Sequence, residues 1–367
     1  MNMNRRTISQ KLQRYFIDAV CAGAILLTFT SVSVCQAPKV FTGKGIPINR
    51  YLKSMVDSGF SGQVIVTEKG KSVLDNAYGW TDKSKTSRMT EHILINIASI
   101  SKSFTSVAVF KLIEEHRLNL TDSLPKFFHN VPPDKRSITI KNLLSHTSGF
   151  PQHYSADGVT ERDAAVAAFF RDTLKFTPGS DFFYSNEDYE LLAAIIEVVS
   201  GEPYETFLRQ NILEKAGMRE TKFWAEDSLQ DLPLYAGKNK PLEPDVLRRN
   251  YGYIGGEGIY TTAADLYRWF NALNERKLID STTIDVMWSV QWKAKSADIT
   301  YGWFRSKTAN GNEEIWTRGY EDWGHSGYLR WFPEKQILII VLTNSPDLHD
   351  TPMRSVIADE IVKMMVE

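Results

Sequence analysis

The chain has 367 residues, 43% hydrophobic and 24% charged, a balance that fills a buried core and excludes disordered, collagen-like and multi-span membrane classes. Its formal net charge of −1 provides no basic footprint for phosphates, so nucleic acid is excluded as a partner. Cys21 and Cys35 both lie in the first 35 residues, which leaves a chain processed after them no disulfide; the seven histidines show no HExxH or other ligand spacing, so neither a metal nor another cofactor is expected.

At the N-terminus, Arg5, Arg6, Lys11 and Arg14 precede an apolar stretch over 19–34 that ends near the small residues Ser33, Cys35 and Ala37. That is the order of an export signal, and about 16 residues is short of the ~20 a bilayer span needs. Residues 1–35 therefore read as a signal peptide and 36–367 as one catalytic unit with two lobes. The competing reading is membrane anchoring, through an uncleaved leader or a lipid on Cys35. The mature protein is expected outside the cytoplasm, periplasmic or secreted.

After the leader, 63–67 and 72–78 flank the Lys69-Gly70 turn as a hairpin. The middle of the chain is helical in pattern, most clearly over 104–115 and over 189–199, where Gly201 stops the helix and Pro203 prevents its continuation. Strands return at 327–332 and 336–342, separated by Pro333-Glu334-Lys335, and an amphipathic segment over 353–364 closes the chain. Strands at both ends with helices between them predict an α+β fold, one sheet assembled from distant parts with a helical lobe inserted.

Ser99-Ile100-Ser101-Lys102 opens a helix that is apolar nearly all round, the pattern of a buried one. Serine and lysine three apart share a face, so the amine reaches the hydroxyl. Desolvation lowers a lysine's pKa and would let Lys102 act as a base. The same spacing at Ser123-Leu124-Pro125-Lys126 follows a Thr-Asp turn and reads as a loop. Tyr184-Ser185-Asn186 stands on a loop edge ahead of the 189–199 helix, where side chains project into a cleft. His325-Ser326-Gly327-Tyr328 starts a strand, with small residues that admit a substrate backbone. His146, in the turn-rich segment Ser145-His146-Thr147-Ser148-Gly149, reads as a residue that ties a loop by hydrogen bonds.

In this order, and together with Gly217-Met218, Gly255-Gly256 and the segment 260–266, these motifs resemble those of penicillin-recognising serine enzymes. The chain is similar to the β-lactamase-related family of class C β-lactamases, D-alanyl-D-alanine carboxypeptidases, D-aminopeptidases and the esterases built on that fold. The resemblance implies an antiparallel sheet flanked by helices and an acyl-enzyme mechanism on an ester or amide of a small molecule or peptide. Ser99 would be the nucleophile, Lys102 its base, and Tyr184 the relay to the leaving group, with Asn186 on a substrate amide. The main-chain N–H groups of Ser99 and Tyr328 would form the oxyanion hole.

His325, Ser326 and Gly327 would bind substrate, but with histidine where most β-lactamases carry lysine. Mostly neutral at pH 7, His325 argues against penicillin turnover and predicts that carboxylate substrates bind better as pH falls. The aromatic-rich stretches 223–224, 288–292 and 316–323 are read as pocket loops. A true class C-type β-lactamase and a catalytically inactive envelope binding protein are the competing readings.

Overall fold

The computed structural model describes residues 41–367 except 225, 227–249, 322, 323 and 346. The proposed leader, with Cys21 and Cys35, and Trp323 lie outside the described residues.

The apolar run near the C-terminus organises the architecture. It forms the strand β11 (Ile337–Thr343), buried at every position. Its side chains divide between two cores: Ile337, Ile339 and Val341 pack with Ile48, Leu52 and Ile357, whereas Leu338, Ile340 and Leu342 pack with Phe104 and Trp269. A strand covered on both faces has no polar face to alternate with, so it reads as an unbroken hydrophobic run.

Around it lies an antiparallel sheet of eight strands. Their order is β2 (Lys71–Tyr78), β1 (Gly62–Glu68), β11, β10 (Ser326–Phe332), β9 (Glu313–Tyr320), β8 (Phe304–Lys307), β7 (Asp298–Ile299) and β6 (Trp292–Lys293). The β1–β2 hairpin therefore pairs with the last strand of the chain, Gly62 opposite Thr343. On one face pack α1 (Gly45–Asp57) and α8 (Met353–Met365). The other carries α2 (Ser101–Glu114) and the helical lobe, which includes α3 (Ile140–Leu144), α4 (Arg162–Phe169), α5 (Asn186–Ser200), α6 (Ala263–Asn274) and α7 (Ser281–Met287). A small sheet of β3 (Ile95–Asn96), β5 (Ile259–Thr261) and β4 (Lys222–Phe223), with β5 central, joins the lobe to the segment before α2. The α+β class and the sheet flanked by helices are as expected from the sequence.

Helix α2 is buried on every side from Ser101 to Phe110. Three of its four hydroxyls are bonded to main chain, Ser103 Oγ to Ile100 O at 2.6 Å, Thr105 Oγ1 to Gly255 O at 2.6 Å and Ser106 Oγ to Tyr301 O at 2.8 Å; the Ser101 hydroxyl has no partner among the described residues. Helix α5 starts three residues earlier than its apolar periodicity suggests, at Asn186, and ends on Gly201 in the left-handed region, φ +80°.

Strand β9 is not anticipated by the sequence pattern, which reads 316–323 as a loop. Acidic Glu313 and Glu314 break up the apolar signal. In the fold Glu314 is buried because Arg330 on β10 donates to it from Nε at 2.8 Å and Nη2 at 2.6 Å. A charge satisfied by a distant partner conceals a strand from any local pattern.

Ile340 sits fully buried on the central strand. Ile340→Ala should lower the urea-unfolding free energy by roughly 2–5 kcal/mol, against less than about 0.5 kcal/mol for Lys53→Ala on the exposed side of α1. Equal effects of the two substitutions would remove β11 from the centre of the fold.

Candidate active site

Ser99 lies in a single 3-10 turn, Ala98–Ile100, that leads straight into α2. Ala98 is held in the left-handed region at φ +47°, where its N–H donates to Asn96 Oδ1 at 2.7 Å. For a residue with a Cβ that conformation costs on the order of 1 kcal/mol or more, and it persists because the surroundings fix it. It presents Ser99 at the start of the helix with Lys102 one turn along.

Lys102 is 3% exposed, and its three ammonium donors all have acceptors: Ser99 Oγ at 3.0 Å, Asn186 Oδ1 at 2.8 Å and Gly256 O at 2.9 Å. Burial pulls the amine's pKa down, but Tyr184, Glu257 and Glu190 outweigh it and hold the amine above its ordinary value. The neutral amine expected from desolvation alone is thus not the resting state. The site holds an ammonium that donates to the serine oxygen.

Asn186, the first residue of α5, is set by two partners: its Oδ1 takes the lysine and its Nδ2 donates to Glu257 Oε1 at 3.0 Å. Gly256 belongs to a tight passage. A Cβ on the neighbouring Gly255, at φ +86°, would stand 2.7 Å from Ala193 Cβ. Tyr184 precedes α5 with its ring 4.5 Å from that of His146, and the Lys102 ammonium stands 5.1 Å from the tyrosine ring. Ser99, Lys102, His146, Tyr184, Thr317 and Arg318 line one narrow pocket, walled by Trp303 and Phe304. Two larger hollows, about 710 and 690 Å³, lie beside α4 and contain none of these groups, so size does not locate the site.

The third motif is placed differently from the sequence reading. His325, 2% exposed, accepts the Asn96 N–H on Nδ1 at 3.1 Å and stands edge-on to Tyr260, while Ser326 and Gly327 open the interior strand β10. None of the three lines the pocket. Tyr328 lies opposite Arg318 on β9 and Val341 on β11, inside two ladders, so its N–H is not an oxyanion donor.

The pocket edge belongs instead to Thr317-Arg318-Gly319 on β9. The Glu321 N–H bonds His325 O at 2.8 Å, which sets the alternation of the β9–β10 ladder. The main chain of Thr317 and Gly319 then turns towards β10, and that of Arg318 and Tyr320 towards the nucleophile. Pairing with β8 ends at Trp316, opening that edge. A Cβ on Gly319 would stand 2.8 Å from Ser99 N and collide with Ile97 O. Arg318 reaches the other way, its guanidinium 5.1 Å from the Trp316 ring. The sequence carried one signal for this edge, a glycine five residues before Gly324, but the hairpin register that brings it to Ser99 is not local. Ser123 stays outside the site, and Lys126 pairs with Asp122 Oδ2 at 2.7 Å.

Comparison with known proteins places this geometry. A family model described as Beta-lactamase matches residues 48–362. PbpX of Bacillus subtilis (strain 168) is 29% identical over 258 residues, 70% of this chain and 63% of PbpX, so the chain spans less than two thirds of that relative. The octameric penicillin-binding protein homologue from Pyrococcus abyssi superposes with a TM-score of 0.72 at 26% identity, covering 88% of this chain and 76% of that one. FmtA from Staphylococcus aureus gives 0.74 at 22% identity, covering 90% and 93%, a likeness of fold.

The two candidate glycines separate the two strand assignments. Gly319→Ala puts a methyl against main chain that cannot yield, whereas Gly327→Ala meets only the side-chain ends of Ile100 and Leu342. Labelling of Ser99 by a fluorophosphonate should therefore fall about a hundredfold or more in Gly319→Ala and less than about tenfold in folded Gly327→Ala. The reverse order would return the third motif to β10.

Proposed function

The chain belongs to the beta-lactamase family, and from that premise we propose that it is a serine hydrolase that cleaves an ester or amide through an acyl-enzyme on Ser99. The observation that carries this reading is the Lys102 ammonium, bonded at once to Ser99 Oγ, Asn186 Oδ1 and Gly256 O in a pocket that also holds Tyr184.

A lysine that donates to the serine oxygen does not accept its proton in the same arrangement. Lys102 therefore serves as a fixed cation that orients Ser99 Oγ and steadies charge developing on it. The Tyr184 phenol, which reaches the lysine's ammonium, relays the serine proton: its oxygen takes that proton from Oγ while its own O–H proton passes to the leaving oxygen or nitrogen as the tetrahedral species forms and collapses. The main-chain N–H groups of Ser99 and Tyr320 take the oxyanion, since both face the gap between the 3-10 turn and β9. Water, activated by the same tyrosine, then releases the acyl group.

Uncharged substrates suit this pocket. Thr317, facing inward beside Gly319, is uncharged, the Arg318 guanidinium lies over the Trp316 ring, and Lys102 is committed to three acceptors. Among the described residues a free carboxylate on the substrate finds no dedicated partner, which argues for neutral esters and amides, N-acyl D-amino-acid amides among them, ahead of penicillins. The leader sequence supports an exported enzyme, with the substrate met outside the cytoplasm.

The test is a panel of p-nitrophenyl acetate and butyrate, D-amino-acid amides, a D-Ala-D-Ala peptide and nitrocefin. An uncharged ester or amide should exceed nitrocefin in kcat/KM by at least about tenfold, and Ser99→Ala should abolish turnover of all. Thr317→Lys, which adds a cation at the edge, should narrow the gap. Turnover that survives Ser99→Ala would end the acyl-enzyme reading, and nitrocefin as the best substrate would end the preference for neutral groups.

A further inference from the structure

His146 has a second position in this molecule besides that of a loop tie. Its ring is 4.5 Å from the Tyr184 ring and 5.1 Å from that of Tyr189, with Phe182 edge-on at 6.2 Å. Its hydrogen bonds bracket Tyr184 in sequence. The carbonyl of His146 accepts the Phe183 N–H at 3.0 Å, and its Nδ1 accepts the Ser185 N–H at 3.3 Å. The residues immediately before and after the tyrosine are thus held by one histidine that also covers the tyrosine's ring.

The histidine is itself over-determined. It is 3% exposed and sits in the left-handed region at φ +57°. Its Nδ1 lies 3.0 Å from Asp188 Oδ2, and Asp188 Oδ1 accepts the Ser148 hydroxyl. Ser185 N–H is a donor only, so Nδ1 carries a lone pair and the acid supplies the proton of the second contact. The pKa directions agree: burial, then the Lys102 charge, pushes His146 well below its ordinary value, and burial raises Asp188 well above the usual carboxylate range. A neutral ring bonded to a neutral acid suits a dry site beside a cation, since neither adds a charge.

We propose that His146 is the positioning residue for Tyr184, a clamp that fixes the phenol against Lys102 and Ser99 through its carbonyl, its Nδ1 and its ring face. It rests on the acyl-enzyme reading only for its effect on rate. The placement of Tyr184 stands apart from whether the enzyme turns anything over. Asp188 and Ser148 are the second tier, holding the imidazole so that Nδ1 points at Ser185. The clamp asks no proton transfer of His146, whose Nδ1 is taken up with the Ser185 N–H and Asp188.

Three substitutions take the clamp apart. His146→Asn keeps an acceptor near the Nδ1 position and tolerates the left-handed backbone, His146→Phe keeps a ring without an acceptor, and His146→Ala keeps neither. Thermal unfolding establishes which variants are folded. Fluorophosphonate labelling of Ser99 then separates the limiting rate from the half-saturating concentration. In folded His146→Phe the limiting rate should fall about ten- to a hundredfold with half-saturation unchanged, while His146→Asn stays within about threefold of wild type. The second measurement is ¹⁹F NMR of 3-fluorotyrosine placed at position 184, which needs no catalysis. One sharp resonance is expected in wild type and His146→Asn, and a broadened or doubled one in His146→Phe and His146→Ala.

A wild type whose Ser99 takes no label, yet whose ¹⁹F lines follow this pattern, would sink the hydrolase reading and leave the clamp standing. An unchanged resonance in folded His146→Phe would overturn the clamp, and so would wild-type labelling in that variant alongside a labelled wild type.

Discussion

Everything near the nucleophile answers to one buried charge. An ammonium withdrawn from water is tolerable only when each of its donors meets an acceptor, since unpaired burial of an ion costs far more than a protein's net stability. Lys102 draws its three acceptors from three separate segments, the 3-10 turn at Ser99, the start of α5 at Asn186 and the loop at Gly256. The inserted helical lobe is therefore not an ornament on the sheet. Two of the three acceptors come from it or from the segment that follows it, and shifting either leaves the cation short of a partner.

That placement creates a second electrostatic problem. The positive end of the α5 dipole lies beside a cation, which is unfavourable by itself. The first turns of α5 carry Glu187, Asp188 and Glu190, all fully buried. They divide the work by their partners. Glu187 is engaged by the N–H groups of His153 and Tyr154 and by Ser185 Oγ. Asp188 meets His146 and Ser148. Glu190 has no hydrogen-bond partner among the described residues, and burial, then Glu187 and Glu257, pushes it well above the usual carboxylate range while the Lys102 charge pulls it back. Glu187, held by two N–H groups and a hydroxyl, is the acid placed to compensate the helix end, while burial works against charge on the other two.

What the sequence made legible was local in character. The serine and lysine lie one helical turn apart, so their contact follows from spacing alone. The run ending at Thr343 declares a strand covered on both faces, and Gly201 declares the end of α5. Lys102's charge state was read from desolvation, the one influence visible without coordinates. Its opponents, Tyr184, Glu257 and Glu190, come together only in the fold. The third motif failed for the same reason. His325-Ser326-Gly327 has the right residue types, but the chain reverses between Glu321 and His325, whose N–H and C=O bond each other, and so the motif falls one strand inward. Which strand borders Ser99 is then decided by pairing between 313–320 and 326–332, a register no short window contains. Moving the motif one strand also exchanges the ligand face, replacing a histidine bonded to Asn96 with Thr317 at an open edge.

Two strained residues tie these themes together. Among the described residues of the site, Ala98 and His146 adopt left-handed backbone without being glycine, at φ +47° and +57°. Each adjoins a segment that delivers a reactive side chain, Ala98 the turn of Ser99 and His146 the stretch of Tyr184. Each is held from elsewhere, by Asn96 Oδ1 in one case and by Asp188 in the other. Asn96 also donates its N–H to His325, so the histidine misread as a ligand is a strut beneath the nucleophile turn. Strain of this size persists only where packing over-determines it, and here it fixes the segments that bring Ser99 and Tyr184 beside Lys102, the pre-set geometry that the proposed acyl-enzyme chemistry would use. Groups set in advance need no reorganisation at the transition state. A single fixed cation is enough in such a site because nothing around it has to move.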